Sequence, residues 1–282
     1  MDKIINGREV SKDIKENIKN FIEERNLKGL KLPKIASILV GNDGGSIYYL
    51  NSQEKVATSL GVLFDKIILE DSIKEEELKD LIRKLNLDDS VHGIMIQLPL
   101  PKGINEKNII NTISPKKDID CLTYESVGKL YLGEEGFKPC TPNSILTLFK
   151  SKKIELEGKE VVVLGRSNIV GKPAVQLLLN ENATVTICHS RTKNLKEVCK
   201  KADILVVAIG KPKFINSEYI KDGAVIIDVG TSSFEGKITG DVDFDDVLDK
   251  VSLITPVPGG VGALTTTLLI KNVCEAIEKD EN

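Results

Sequence analysis

Tryptophan is absent from the 282 residues, and histidine occurs only at His92 and His189. So little imidazole argues against a Ser-His-Asp hydrolase or a His-ligated metal centre, and no metal site is expected. Aromatic residues make up 4% of the chain, too few for the stacking platforms of single-strand nucleic-acid binders. A net charge of −3 gives no electrostatic case for nucleic acid or an anionic membrane as partner. No apolar run approaches the ~18 residues of a membrane span. The opening MDKIINGREV lacks the apolar core of a secretion signal, so a cytoplasmic protein is expected. Cys121, Cys140, Cys188, Cys199 and Cys274 are odd in number and form no C-x-x-C pair. They read as reduced, mostly buried thiols, neither a zinc site nor a disulfide framework.

What is present is an alternation of short β-branched runs with amphipathic stretches. Strands are predicted at 34–40, 63–69, 91–97, 160–165, 183–188, 202–210 and 224–230. Helices are predicted at 8–27, 46–60, 74–85, 105–112, 142–152, 171–181, 194–201 and 263–279. This order argues for an α/β fold built from βαβ units with mostly parallel sheets. The alternation breaks around 115–145, at SPKKDIDCL and the Pro-flanked FKPCTPNS, which divides the chain into two lobes. The last helix is long enough to pack back on the first lobe.

In the second lobe the strand EVVVLG runs into GRSNIVGKP and then the helical AVQLLLN. Strand, glycine turn and helix N-terminus together suit a dinucleotide pyrophosphate. Gly165 lets the backbone turn, Gly171 permits close packing, and Pro173 suits a first helical turn. The spacing is not G-x-G-x-x-G, and by pattern alone an ordinary strand-to-helix loop reads equally well. The next strand, ATVTIC, ends on HSRT, with Ser190 and Arg191 where an NAD site usually carries an acid. Arg166 lies in the glycine turn. Cation plus hydroxyl suits a 2′-phosphate and favours NADP over NAD.

In the first lobe, GGSIYYLNSQEKVA reads as a glycine-broken loop feeding a helix, with Ser46 as candidate N-cap. Tyr49 and Gln53, four residues apart, share a helix face. IMIQLPLP ends an apolar strand on Gln97, KKDIDCL carries Asp118 and Asp120 beside a turn, and TPVPGGVG combines prolines with glycines before a helix. Sheets of this class bind ligands at the carboxyl ends of their strands.

Taken in order, QLPLP, KDIDCL, PCTP, GRSNIVGKP, CHSRT, IDVG, GDVDF and TPVPGGVG resemble methylenetetrahydrofolate dehydrogenase/methenyltetrahydrofolate cyclohydrolase, the bifunctional FolD type, over nearly the whole chain. The resemblance implies two α/β lobes flanking a cleft, the second a Rossmann-type NADP-binding domain. It places the folate-binding, catalytic domain at 1–140 plus 262–282 and the cofactor domain at 141–261. Gly165, Arg166 and Ser167 then cradle the cofactor phosphates, Ser190 assists at the 2′-phosphate, and Thr231 lies near the nicotinamide end. Tyr49 stacks on or bonds to the folate ring system, and Asp120 bonds the pterin edge. Gln97, Leu98, Pro258, Gly259 and Val261 complete the pocket. The implied partners are a small-molecule folate and a second copy of the chain, paired through the cofactor lobe. The implied place in metabolism is one-carbon transfer serving purine biosynthesis.

The family reaction passes hydride from the folate methylene bridge to NADP, then adds water to the methenyl cation to give formyltetrahydrofolate. The resemblance assigns the proton transfers of the second step to a lysine four residues after the tyrosine. Gln53 occupies that position here. Lys55 cannot substitute, because two residues along a helix is about 200° of rotation. An amide does not titrate near neutrality. The expectation is an NADP-linked dehydrogenase with weak or absent cyclohydrolase activity. The alternatives are a fully bifunctional enzyme and a non-catalytic folate and NADP binder. Further departures from the family pattern are Cys121 for glycine, Tyr124 and Ser126 for proline and asparagine, Ser144 for glycine and Ala263 for proline. They bear on the folate side more than on the cofactor.

Overall fold

The computed structural model describes residues 3–281. The chain forms two compact units: one runs through Lys12 and resumes over Pro139–Thr265, the other covers Asp13–Lys138 and the chain from Thr266 onward.

The Asp13–Lys138 unit begins within α1 (Gly7–Leu27) and alternates β1 (Lys34–Val40), α2 (Gly44–Ser59), β2 (Leu63–Leu69), α3 (Glu75–Leu87) and β3 (Gly93–Ile96). Two shorter helices follow, α4 (Glu106–Ile110) and α5 (Tyr124–Leu132). The three strands form a parallel sheet in the order β2-β1-β3, with Ile38 of β1 opposite Ile67 and Ile96. Every residue of β1 after Lys34 is buried, which suits a central strand covered on both faces. Ile38, Leu78, Ile82, Ile94 and Ile109 pack into one cluster. Each such side chain contributes roughly 2 kcal/mol on burial.

In the Pro139–Thr265 unit, α6 (Cys140–Ser151) precedes β4 (Glu160–Leu164), α7 (Gly171–Asn180), β5 (Thr184–Cys188), α8 (Leu195–Cys199), β6 (Ile204–Val207) and β7 (Val225–Asp228). Then come β8 (Ser232–Phe234), β9 (Lys237–Thr239), α9 (Phe244–Val247) and β10 (Leu253–Ile254). Five parallel strands stand in the order β10-β7-β6-β4-β5, while β8 and β9 form a separate antiparallel hairpin. The chain leaves β4 for β5 on one side and returns to β6 on the other. The strand order therefore reverses between β4 and β6, the place where an open parallel sheet leaves a crevice at its carboxyl ends. The final helix, α10 (Gly262–Glu281), belongs from Thr266 onward to the other unit. There the Asn272 amide donates to the carbonyls of Ile119 at 2.7 Å and Lys138 at 3.1 Å.

The first residues fall in the unit with Pro139–Thr265, not at the head of a 1–140 domain. The cause is local: Ile5 N donates to the Ile254 carbonyl at 2.8 Å and Gly7 N to that of Gly259 at 2.9 Å, which fastens them beside β10. A side chain at Gly7 would place its Cβ 2.0 Å from the Gly260 oxygen.

The elements follow the expected alternation, with strand ends trimmed, as at 93–96 for 91–97. Ser46 is not the N-cap of α2. Asp43 is, accepting from Ser46 N at 2.8 Å and Ser46 Oγ at 2.9 Å. Gly44 and Gly45 form the first helical turn, where amides lack intrahelical partners in any case. Among the described residues no helix is long and apolar enough to cross a membrane, and no group of three metal-ligating side chains forms. All five cysteines are buried as free thiols.

Candidate active site

On α2, the residues Ser46, Leu50, Gln53 and Ala57 form the buried face. Gln53 is 7% exposed, and its carbonyl oxygen accepts a hydrogen bond from the Gln97 amide at 2.8 Å. Gln97 stands one residue beyond β3 at its carboxyl end and donates also to Ser37 Oγ of β1 at 3.0 Å. Its backbone N–H continues the sheet ladder to the Ile38 carbonyl at 2.8 Å, so the strand fixes where the side chain emerges. The structure thus brings Gln53 and Gln97 together and adds Ser37, which sequence reasoning missed because a serine inside an apolar strand carries no distinguishing signal.

Tyr49 stands one turn before Gln53 at the rim of that face, 56% exposed, with its ring edge-on to Tyr48. Lys55 points to the exposed side of α2. The Lys66 ammonium is held by Asn51 at 3.0 Å and Glu54 at 2.5 Å. Leu98 follows Gln97 and joins Pro99 through a cis peptide; its carbonyl accepts from Ser46 Oγ at 3.4 Å.

The KDID segment is turned by Asp118, which is 1% exposed and accepts from Leu122 N and Thr123 N. Asp120 follows, half-buried in the same turn. Cys121, next to it, has φ 56°, a left-handed conformation that suits glycine. Burial pushes its thiol up to about 12.

In the other unit, β4 runs into Gly165, whose N–H donates to the Cys188 carbonyl at 2.9 Å and so ties the glycine turn to the end of β5. Gly165 has φ 131°, and a Cβ there would meet the Ala208 carbonyl oxygen at 2.2 Å. A Cβ on Gly171 would meet the Gly165 oxygen at 2.2 Å. Glycine is required at both places. Arg166 and Ser167 between them are exposed, and Ser167 Oγ accepts from Val170 N at 3.1 Å and Gly171 N at 3.3 Å, just before and at the start of α7. At the end of β5, His189 to Thr192 closes a turn through the Thr192 N–H on the His189 carbonyl at 2.9 Å. Ser190 and Arg191 are its two exposed central residues.

Two buried carboxylates organise the loops at the same end of this sheet. Asp241, 0% exposed, accepts from Ile209 N at 2.7 Å, Gly210 N at 2.9 Å and Lys211 N at 2.7 Å. Asp228 accepts from Gly230 N and Asp241 N at 3.0 Å and from Val242 N at 2.9 Å. Burial holds the Asp228 carboxyl at about 7, against the pull of those amides and with help from the charge of Asp241. In the sequence both aspartates read only as turn residues of IDVG and GDVDF; nothing local marks them as buried. Thr231 is exposed directly after Gly230. The 255–260 turn holds Pro258, exposed after a cis peptide, and Gly259 with φ 115°; Val261 beyond it is buried.

Residues 5–120 match the model of the tetrahydrofolate dehydrogenase/cyclohydrolase catalytic domain, and residues 139–281 that of the tetrahydrofolate dehydrogenase/cyclohydrolase NAD(P)-binding domain. The chain is 72% identical over 282 residues to the "Bifunctional protein FolD" of Clostridium botulinum (strain Eklund 17B / Type B), covering 100% of both chains. The solved bifunctional FolD enzyme of Campylobacter jejuni superposes with a TM-score of 0.96 at 42% identity, over 98% of this chain and 99% of that one. The Trypanosoma brucei methylenetetrahydrofolate dehydrogenase-cyclohydrolase, solved with NADP cofactor and inhibitor, gives 0.93 at 35% identity, over 99% and 98%.

Proposed function

We propose, from the premise that this chain belongs to the tetrahydrofolate dehydrogenase/cyclohydrolase family, that it is an enzyme oxidising methylenetetrahydrofolate to methenyltetrahydrofolate with NADP, and that its hydrolytic second step is weak or absent. The observation that carries the second half is the Gln53–Gln97 amide pair. Where the family pattern has a titratable amine, this chain has a buried carboxamide whose oxygen is already occupied by Gln97.

NADP suits the second lobe on its own geometry. Gly165 and Gly171 pack where a Cβ would collide with the Ala208 and Gly165 carbonyls, and this holds strand, glycine turn and helix N-terminus in the close arrangement that suits a pyrophosphate. Arg166, Ser190 and Arg191 offer cations and a hydroxyl to a 2′-phosphate, with Thr231 toward the nicotinamide. The cofactor supplies the hydride acceptor. What the chain supplies to that step is alignment, which requires no proton relay. Tyr49, Gln97, Leu98 and Asp120 serve the folate in the Asp13–Lys138 unit. A neutral amide at Gln53 is compatible with a substrate that becomes cationic. The chain pairs as a homodimer through the cofactor lobe, where β5 is an edge strand and Ile187 and Leu179 are exposed.

The names carried by the relatives favour the competing reading, a fully bifunctional enzyme in which another group moves the proton. Assaying both half-reactions on purified protein decides between them. NADP reduction by methylenetetrahydrofolate with little enzymatic hydrolysis of methenyltetrahydrofolate is the expected result. Robust hydrolysis refutes the reading of Gln53.

A further inference from the structure

We propose that Asp241 is a positioning residue for the cofactor: by holding the three successive amides of Ile209, Gly210 and Lys211, it seats the Ala208 carbonyl against Gly165 and so sets the shape of the glycine turn. The inference rests on the reading of this lobe as the NADP site.

The chain of contacts is continuous. Asp241 receives its three N–H groups at 2.7–2.9 Å, one carboxylate oxygen serving Ile209 and Gly210 and the other Lys211. Those amides begin directly after Ala208, whose own N–H still belongs to the sheet through the Leu164 carbonyl at 2.8 Å. The Ala208 carbonyl then occupies the place a Cβ of Gly165 would take, at 2.2 Å. The Gly165 carbonyl in turn occupies the place of a Gly171 Cβ, again at 2.2 Å. A run of close contacts therefore links the carboxylate to the start of α7. Both segments leave β4 and β6, the strands between which the order reverses.

Asp241 is itself fixed. Its N–H is held by Asp228, and Gly230 leaves it room, since a Cβ there would lie 2.2 Å from the Asp241 carboxyl carbon. Three backbone donors converging on one buried carboxylate form a charge-assisted clamp. A neutral isostere keeps the shape but removes the charge, and one oxygen becomes an NH2 that must face a backbone N–H.

The test is Asp241→Asn beside a matched control, Asp203→Asn. Asp203 also accepts hydrogen bonds, but at the amino end of the same sheet and more exposed: from Glu160 N at 3.0 Å and from the Lys221 ammonium at 2.7 Å. NADP affinity is read by direct titration, KM for NADP and kcat by the dehydrogenase assay, and folding by thermal unfolding. Asp241→Asn should raise Kd and KM for NADP about tenfold, as loss of one charge-assisted bond would, and leave kcat at saturating NADP within about twofold. Asp203→Asn should leave both NADP constants at wild-type values. Equal NADP affinity in wild type and Asp241→Asn overturns the positioning role alone, whereas a wild type that binds no dinucleotide overturns the NADP reading as well. Hydrogen exchange on the wild type gives a result independent of any variant's folding. NADP should slow exchange at residues 208–211 more than at 223–225, and equal slowing at both ends overturns the proposal.

Discussion

Gln97 donates its side-chain amide to Gln53 at 2.8 Å and to Ser37 at 3.0 Å, so both of its amide hydrogens are engaged by buried acceptors. Gln53 therefore faces the end of β3 as an acceptor. The Lys66 ammonium is committed to Asn51 and Glu54. Gln53→Lys restores a titratable donor at this point, and the Gln97 amide can reverse to present its oxygen to it. The variant should gain methenyltetrahydrofolate hydrolysis by about 10²-fold, the usual scale of general acid–base assistance, with dehydrogenase activity retained. A stopped-flow assay of hydrolysis checks this. A variant that folds and binds folate but hydrolyses no faster than wild type would show that more than the amine is missing.

Gln97→Ala removes the donor and leaves Gln53 Oε1 and Ser37 Oγ around a cavity. A buried acceptor without its partner costs about 1–3 kcal/mol, so the unfolding midpoint should drop visibly in urea. Folate affinity should fall with it while NADP affinity, which depends on the other unit, stays put. Fluorescence titration with each ligand separates the two effects.

How much of this was legible in the residues depends on the range of the interaction. The parallel strands were, because KIASILV and EVVVL are apolar runs covered on both faces. The β8–β9 hairpin was not. Its turn is Glu235-Gly236, with φ 50° and 75°, and glutamate is not a residue that signals such a turn. The two-residue β10 is too short to show a period. Asp43 was overlooked as the cap of α2 because two glycines following it looked like a break. Gln53 and Gln97 were both singled out on local grounds, but their hydrogen bond joins residues 44 apart in sequence. The clamp at Asp241 spans 30 to 32 residues and leaves no local trace at all.

Cys121 supplies a test of backbone strain. At φ 56° a non-glycine residue costs roughly 1 kcal/mol, and the buried thiol offsets that by packing. Cys121→Ala keeps the strain and loses the sulfur, whereas Cys121→Gly loses the sulfur and the strain together. The glycine variant should therefore be the more stable of the two by about 1 kcal/mol, the reverse of the order expected in a helix or strand. Urea melts of both variants decide it; an alanine variant as stable as the glycine one would mean the turn relaxes.

Gly165→Ala tests the cofactor turn. The φ of 131° is open only to glycine, and the added methyl would press on the Ala208 carbonyl at 2.2 Å. Backbone, not a flexible side-chain end, must move. The variant should lose NADP binding by at least about tenfold and be destabilised by about 2 kcal/mol or more. Isothermal titration with NADP reads the first and thermal unfolding the second; normal NADP affinity would place the dinucleotide elsewhere.

The Asp228 carboxyl gives stability a pH dependence whose sign can be worked out. Its folded pKa is about 7, against about 3.9 for an ordinary aspartate; the dominant cause is burial, with the Asp241 charge adding to it and three backbone N–H donors opposing. Between these two values the folded chain holds a proton that the unfolded chain has released. Stability from this group is therefore complete below about pH 4 and is lost as pH rises toward 7, by up to about 4 kcal/mol. Asp228→Asn is neutral throughout and lacks this component. The gap in unfolding free energy between wild type and Asp228→Asn should narrow, or turn in favour of the variant, as pH rises from about 4.5 to 7.5. Urea midpoints measured in parallel at four pH values would expose it. Two curves that run parallel across that interval would mean that the amides of Gly230, Asp241 and Val242 outweigh burial and keep Asp228 ionised. In that case the lobe carries two buried negative charges, and Asp241 holds the 209–211 loop against the repulsion of its neighbour.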